Sequence, residues 1–185
     1  MPHSIECDFN SHTLYVTDRS NHRIMSYPLI GNVLGTLIAG GNGGGLNRNQ
    51  LSLPVAFHID SLSNSLIIAN TGGHNILRWV IGASNWTLIV GNSSGFPGNT
   101  STELQSPTDV TLDPMGNIYV SDFNNHRIQF FLRDQSIGKT IVGITSISDN
   151  SSTVLNRPIS LKLDNQLNLY VVDHYNNRVQ KFVRY

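Results

Sequence analysis

The chain has 185 residues, enough to bury one good core. Charged residues make up 13%, against roughly 25% in ordinary soluble domains, and Asn, Ser and Gly carry the polar share, as in a turn-rich β protein. Formal net charge is zero with no basic block, which argues against an electrostatic nucleic-acid surface, and the lone Cys7 excludes an internal disulfide and a cysteine-held zinc.

Four apolar-alternating runs, A to D, recur along the chain. In the first unit (2–40) Pro2 opens strand A, which closes at Asp8. Asp18 ends strand B, Arg23 begins strand C, and Gly35–Ala39 is strand D. The second unit (54–90) runs from Pro54 through Asp60 to a strand D at Trp86–Val90. The third (107–143) is the clearest: Asp109–Asp113, Asn117–Ser121, Arg127–Phe131 and Lys139–Gly143. Asp113-Pro-Met-Gly-Asn117 supplies a turn between its strands A and B. The fourth (158–185) has Pro158 and Asp164 in register but no strand D. Each proline suits the first residue of a strand, where no ladder donor is needed. No stretch keeps a helical period.

The segments Asp18–Ile24, Asn70–Ile76, Asp122–Ile128 and Asp173–Val179 are copies of one sequence, with first residues 52, 52 and 51 positions apart. Four short antiparallel strands at such a period are the pattern of β-propeller blades. Pro-x-x-x-x-x-Asp, an Asn-x-Tyr-Val-x-Asp strand and then Asn-His-Arg-Ile resemble the NHL-repeat family of β-propellers. Asn124–Ile128 and Ser20–Ile24 match closely, the second unit departs at Gly73-His74-Asn75, and the fourth has Asn177 in place of His. The resemblance implies an all-β fold of four-stranded blades, the last without its outer strand, in a ring of six. The expectation is therefore a C-terminal part of a longer propeller, lacking about two blades upstream and exposing strand edges prone to self-association.

Within the repeat, Asp and Arg are read as a clasp across the B–C hairpin: Asp18 with Arg23, Asp122 with Arg127, Asp173 with Arg178. The second unit loses both charges together, as Asn70 and Asn75. The clasp is expected to be partly exposed and worth under about 1 kcal/mol. Asn21 and Asn125 suit turn positions of left-handed φ. His22, His74 and His126 invite a metal reading. Equivalent positions on successive blades should lie more than about 10 Å apart, whereas zinc needs ligand atoms at about 2 Å, so no metal or other cofactor is assigned. Gly40–Gly45 does not fit G-x-G-x-x-G, and Gly138-Lys139-Thr140 lacks the first glycine of a phosphate loop.

Function is sought where the copies differ. The D–A connections, about 41–53, 91–106 and 143–157, are long and unlike one another, and they emerge on the same face as the B–C turns. Candidate binding residues are Arg48, Asn49, Phe96, Glu103 and Arg157, with the turn histidines His22 and His126. Phe96 is read as a loop plug in preference to an exposed anchor. The favoured function is a non-catalytic scaffold that recognises a protein or small ligand on this face. The resemblance also implies two alternatives. One is a propeller enzyme, like a peptidyl-hydroxyglycine lyase or a lactonase, with part of its metal site on further blades. Pro2-His3 resembles one zinc-ligand position of such lyases, although Val55, Thr108 and Ile159 stand at the matching places. The other is the substrate-recognition module of a RING-type ubiquitin ligase. RNA binding, known in the family, is disfavoured by the few lysines: Lys139, Lys162 and Lys181. No apolar run reaches transmembrane length. Asn-x-Ser/Thr acceptors at Asn85, Asn92, Asn99 and Asn150 are compatible with secretion, at a frequency the composition itself produces.

Overall fold

The computed structural model describes residues 1–31 and 34–183. Positions 32–33 of the first unit and 184–185 of the fourth lie outside the described residues. Among the described residues the strands form four antiparallel sheets. Sheet one holds β1 (Pro2–Asp8), β2 (Thr13–Asp18), β3 (Arg23–Pro28) and β4 (Thr36–Gly40). Sheet two holds β5 (Pro54–Asp60), β6 (Ser65–Asn70), β7 (Asn75–Val80) and β8 (Thr87–Gly91). Sheet three holds β9 (Pro107–Leu112), β10 (Ile118–Asp122), β11 (Arg127–Phe131) and β12 (Lys139–Gly143). Sheet four has three strands, β13 (Pro158–Leu163), β14 (Leu169–Asp173) and β15 (Arg178–Phe182). Each sheet is a meander in chain order. The A strands β1, β5, β9 and β13 pack side by side in succession, so they line the inner wall of a propeller arrangement. Among the described residues no helix is long and apolar enough to cross a membrane.

The core lies in the wedges between sheets. Strand β6 shows why its run Ser-Leu-Ile-Ile-Ala-Asn is buried throughout. Successive side chains point to opposite faces of a strand. Leu66 and Ile68 therefore join Tyr15, Ile24 and Phe57 between blades one and two. Ile67 and Ala69 join Val110, Ile118 and Val120 between blades two and three. Ile128, Leu155, Leu161 and Val171 fill the third wedge. Ile24, Ile76 and Ile128, at one register position, are fully buried, whereas Val179 at that position is 64% exposed on its three-stranded sheet.

Each B–C connection is one 3-10 turn: Arg19–Asn21, Thr71–Gly73, Phe123–Asn125 and His174–Asn176. The next residue, His22, His74, His126 or Asn177, takes left-handed φ between 50° and 57°. The left-handed position thus falls one residue after the Asn21 and Asn125 expected from the sequence. The 3-10 turn uses all three residues after the Asp, so the chain reverses at the fourth. Gly40, Gly91 and Gly143 close strand D with positive φ, and a Cβ there would collide with the carbonyl of His22, His74 or His126.

Candidate functional site

The repeated segment is built as a hub for the D–A loops. Asp18–Arg23, Asn70–Asn75, Asp122–Arg127 and Asp173–Arg178 are direct cross-strand neighbours. In three units an arginine Nε donates to an aspartate Oδ2, at 3.0 Å for Arg23 and 2.8 Å for Arg127 and Arg178. In the second unit Asn70 Nδ2 donates to Asn75 Oδ1 at 2.9 Å, so a neutral amide pair fills the same place. The Oδ1 of Asn70, Asp122 and Asp173 receives a backbone N–H two residues before the strand-A proline. The donors are Ser52 (2.7 Å to Asn70), Gln105 (2.7 Å to Asp122) and Asn156 (2.6 Å to Asp173). Asn125 and Asn176 each donate a side-chain N–H to the same Asp Oδ2 as the arginine.

The clasp is not uniformly exposed. The Arg23 side chain is 39% exposed, but Arg127 and Asp122 are buried. The Arg127 guanidinium also donates to the carbonyls of Asn99, Thr100 and Glu103, which fixes the preceding D–A loop, and to Thr145 Oγ1 at the start of the following one. Arg178 does the same through Asn150, Ser151 and Val154.

The turn histidines join neighbouring blades. His22 Nδ1 accepts the Leu53 N–H (3.1 Å), His74 Nδ1 that of Ser106 (2.9 Å) and His126 Nδ1 that of Arg157 (3.2 Å). Each donor directly precedes the next strand-A proline. An accepting Nδ1 fixes the neutral imidazole with its proton on Nε2. Burial pushes His74 and His126 below the usual histidine range, and the charge of Arg157 adds to this at His126.

Where the A strands begin and the 3-10 turns open, a cavity of about 570 Å³ lies at the inner wall. Its lining includes His3, Val55, Thr108 and Ile159, each directly after a strand-A proline, and Arg19, Thr71 and Phe123, each opening a 3-10 turn. These are positions at which the four units differ. None of the loop and turn candidates from the sequence lines it. Arg48 and Asn49 are exposed, and Arg48 borders an outer recess beside Trp86 and Leu88. Phe96 is 68% exposed, so it does not plug its loop. Glu103 Oε2 accepts from the Thr100 N–H and hydroxyl and so caps its own loop. The Arg157 guanidinium lies 4.8 Å from the Tyr175 ring centre and 5.6 Å from that of Phe123. His22 and His126 act as the inter-blade acceptors described above.

A second group sits deeper on the inner wall. Glu6, His58 and Lys162 lie four residues after their strand-A prolines, with Asp109 on the strand between His58 and Lys162. Glu6 Oε1 is 3.4 Å from His58 Nδ1, and Glu6 Oε2 accepts the Ile59 N–H at 3.1 Å. Burial pushes the Glu6 carboxyl up to about 7, against the pull of the Ile59 N–H and the Lys162 charge. Burial pushes His58 down to about 4, helped by Lys162. Near neutrality His58 is therefore uncharged, and its contact with Glu6 is not an ion pair. Asp109 is also raised by burial, although its oxygens accept from Ser160 Oγ (2.7 Å) and from the N–H groups of Leu161 (3.0 Å) and Val110 (2.9 Å). The sequence signal for this group was a shared register, proline plus four, carrying three different titratable side chains. Among the described residues no three His, Cys, Asp or Glu side chains gather into a metal-holding group.

The NHL repeat model matches residues 104–131 and 155–182. NHL repeat-containing protein 3 from Mus musculus is 30% identical over 129 residues, covering 66% of this chain and 36% of that protein. Its counterpart from Homo sapiens is 31% identical over 145 residues, covering 72% and 40%. The chain thus spans 36–40% of the length of these relatives. Among solved structures, a gluconolactonase from Xanthomonas campestris superposes with a TM-score of 0.72 at 17% identity, covering all of this chain and 58% of that one. A chain of a nidogen–laminin complex gives 0.70 at 18% identity, covering 99% and 64%. These two likenesses show a shared fold. With the period, the blade register and the family match together, the chain belongs to the NHL-repeat family of β-propeller proteins.

Proposed function

We propose that the chain acts as a non-catalytic binding scaffold, taking a protein or small ligand on the face where the D–A loops and B–C turns emerge. The observation that carries this reading is the division of labour within the repeat. Positions common to the units are spent on the hairpin clasp, the loop anchors and the inter-blade histidines. Positions that differ, His3, Val55, Thr108, Ile159, Arg19, Thr71 and Phe123, meet at one cavity. A concave site with a few polar groups on a rigid frame is the usual form of a ligand site. Chemical-shift mapping of the full chain against small organic acids, amines and neutral aromatics tests the reading. Perturbed amides gathered on Arg19, Thr71, Thr108 and Phe123 support it, and perturbations confined to the outer strands contradict it.

A propeller hydrolase or lyase is a second reading, favoured by the inner-wall group. A carboxyl near 7 beside a neutral imidazole is in the range for general acid–base work. Turnover of simple lactones by the full chain, lost in Glu6→Gln, is the result this reading requires.

A further inference from the structure

We infer that the cavity at the inner wall takes a small apolar carboxylic acid, with its carboxylate on Arg19; this rests on the binding reading of the same cavity. Arg19 is not required by the repeat, since Thr71, Phe123 and His174 occupy its register elsewhere. The other repeat arginines, Arg23, Arg127 and Arg178, are all held by an aspartate. No hydrogen bond or ion pair ties the Arg19 side chain to any described residue, and its Nε is buried with its N–H unsatisfied. The guanidinium therefore brings to the cavity lining a charge that no side chain of the described residues neutralises.

The carboxylates nearby are already engaged. Asp18 receives Arg23, Asn21 and the Met1 ammonium, the last at 3.4 Å. Asp109, on the cavity wall, receives Ser160, Leu161 and Val110. Arg19 is thus the permanent charge on the wall that lacks a counter-charge, with the exposed His3 as a second polar group. One planar guanidinium fork matches one carboxylate in a bidentate pair. A monoanion suits a single unpaired charge better than a phosphate dianion does. Val55, Ala56, Phe123 and Ile159 supply an apolar wall for the body of the acid.

The test titrates the full chain with 3-phenylpropionate, its neutral amide 3-phenylpropanamide, and inorganic phosphate, following amide chemical shifts. The acid is expected to shift Arg19, Thr71 and Phe123 and to bind at least tenfold more tightly than the amide. Arg19→Gln should lower the acid to the level of the amide, Arg19→Lys should retain part of the preference, and Lys139→Gln on the outer strand should change nothing. Equal affinity of acid and amide at the cavity, or an unchanged Arg19→Gln, overturns the carboxylate assignment and leaves the cavity as a binding site. Phosphate binding as tightly as the acid also overturns it. Absence of any shift at the cavity with all three probes overturns the binding reading as well.

Discussion

The second and third B–C hairpins have the same backbone and different chemistry. Asn70 and Asn75 face each other in one, Asp122 and Arg127 in the other, and all four are buried. Both hairpins satisfy the backbone N–H two residues before the strand-A proline, at 2.7 Å in each case. The carboxylate charge is therefore not needed to close the turn. What the arginine adds is reach. Arg127 holds three carbonyls of the loop before its blade, whereas Asn75 reaches only Asn92 O, in the loop after its own. The loop before blade two is held by other means: Gln50 donates to Asn42 O, and Trp86 Nε1 donates to the carbonyls of Asn47 and Gln50. The ion pair is a loop anchor whose charge is neutralised locally by its aspartate.

Removing the anchor should separate the two hairpins most. Arg127→Leu strands the Asp122 carboxylate and three carbonyls inside the protein, and urea denaturation should show a loss of about 3–5 kcal/mol. Arg23→Leu, at the half-exposed clasp, should cost less than about 1 kcal/mol. If the two losses are equal, burial is not what sets the value of the clasp. The double variant Asp122→Asn with Arg127→Asn installs the amide pair of blade two. It strands no charge, so it should cost less than Arg127→Leu alone, a non-additive result in a double-mutant cycle. Next in size, His74→Ala leaves the Ser106 N–H without an acceptor and should cost about 1–2 kcal/mol.

A further effect concerns pH. The folded pKa of His58 lies near 4, below the unfolded value of about 6.5, so its contribution is complete above 6.5 and is lost as pH falls. His74 and His126 are lowered too and act in the same sense. Glu6 is raised to about 7, so its contribution is present at low pH and is lost as pH rises from about 4.5 through 7. The two trends oppose each other between about pH 4.5 and 6.5 and should leave a shallow stability profile. Glu6→Gln removes one arm, so stability should then fall on acidification over that window. A profile unchanged by the substitution would contradict the assignment.

The blades could be read from the sequence because their signals are local or periodic. Proline at a strand start and Asp–Arg at a hairpin end recur at a fixed spacing, and the second unit varies both members of the pair at once. The inter-blade histidines were hidden because each partner is a backbone N–H about 31 residues away, and a backbone donor leaves no side-chain trace. The inner-wall group was hidden because one register position carries Glu, His and Lys, which no pattern of identity links. The loop candidates were chosen by length and variety. In the folded chain Glu103 and Arg157 are occupied by loop capping and ring stacking, while the cavity draws on strand starts and turn openings.

In this division of labour, shared positions build the frame while differing ones are free for recognition. Arg19→Thr, which installs the residue of blade two at the same register, tests it most directly in urea denaturation beside Arg127→Leu. The expected stability is within about 0.5 kcal/mol of the parent, as for positions without a structural duty. A loss approaching that of Arg127→Leu would place Arg19 in the frame and contradict the division.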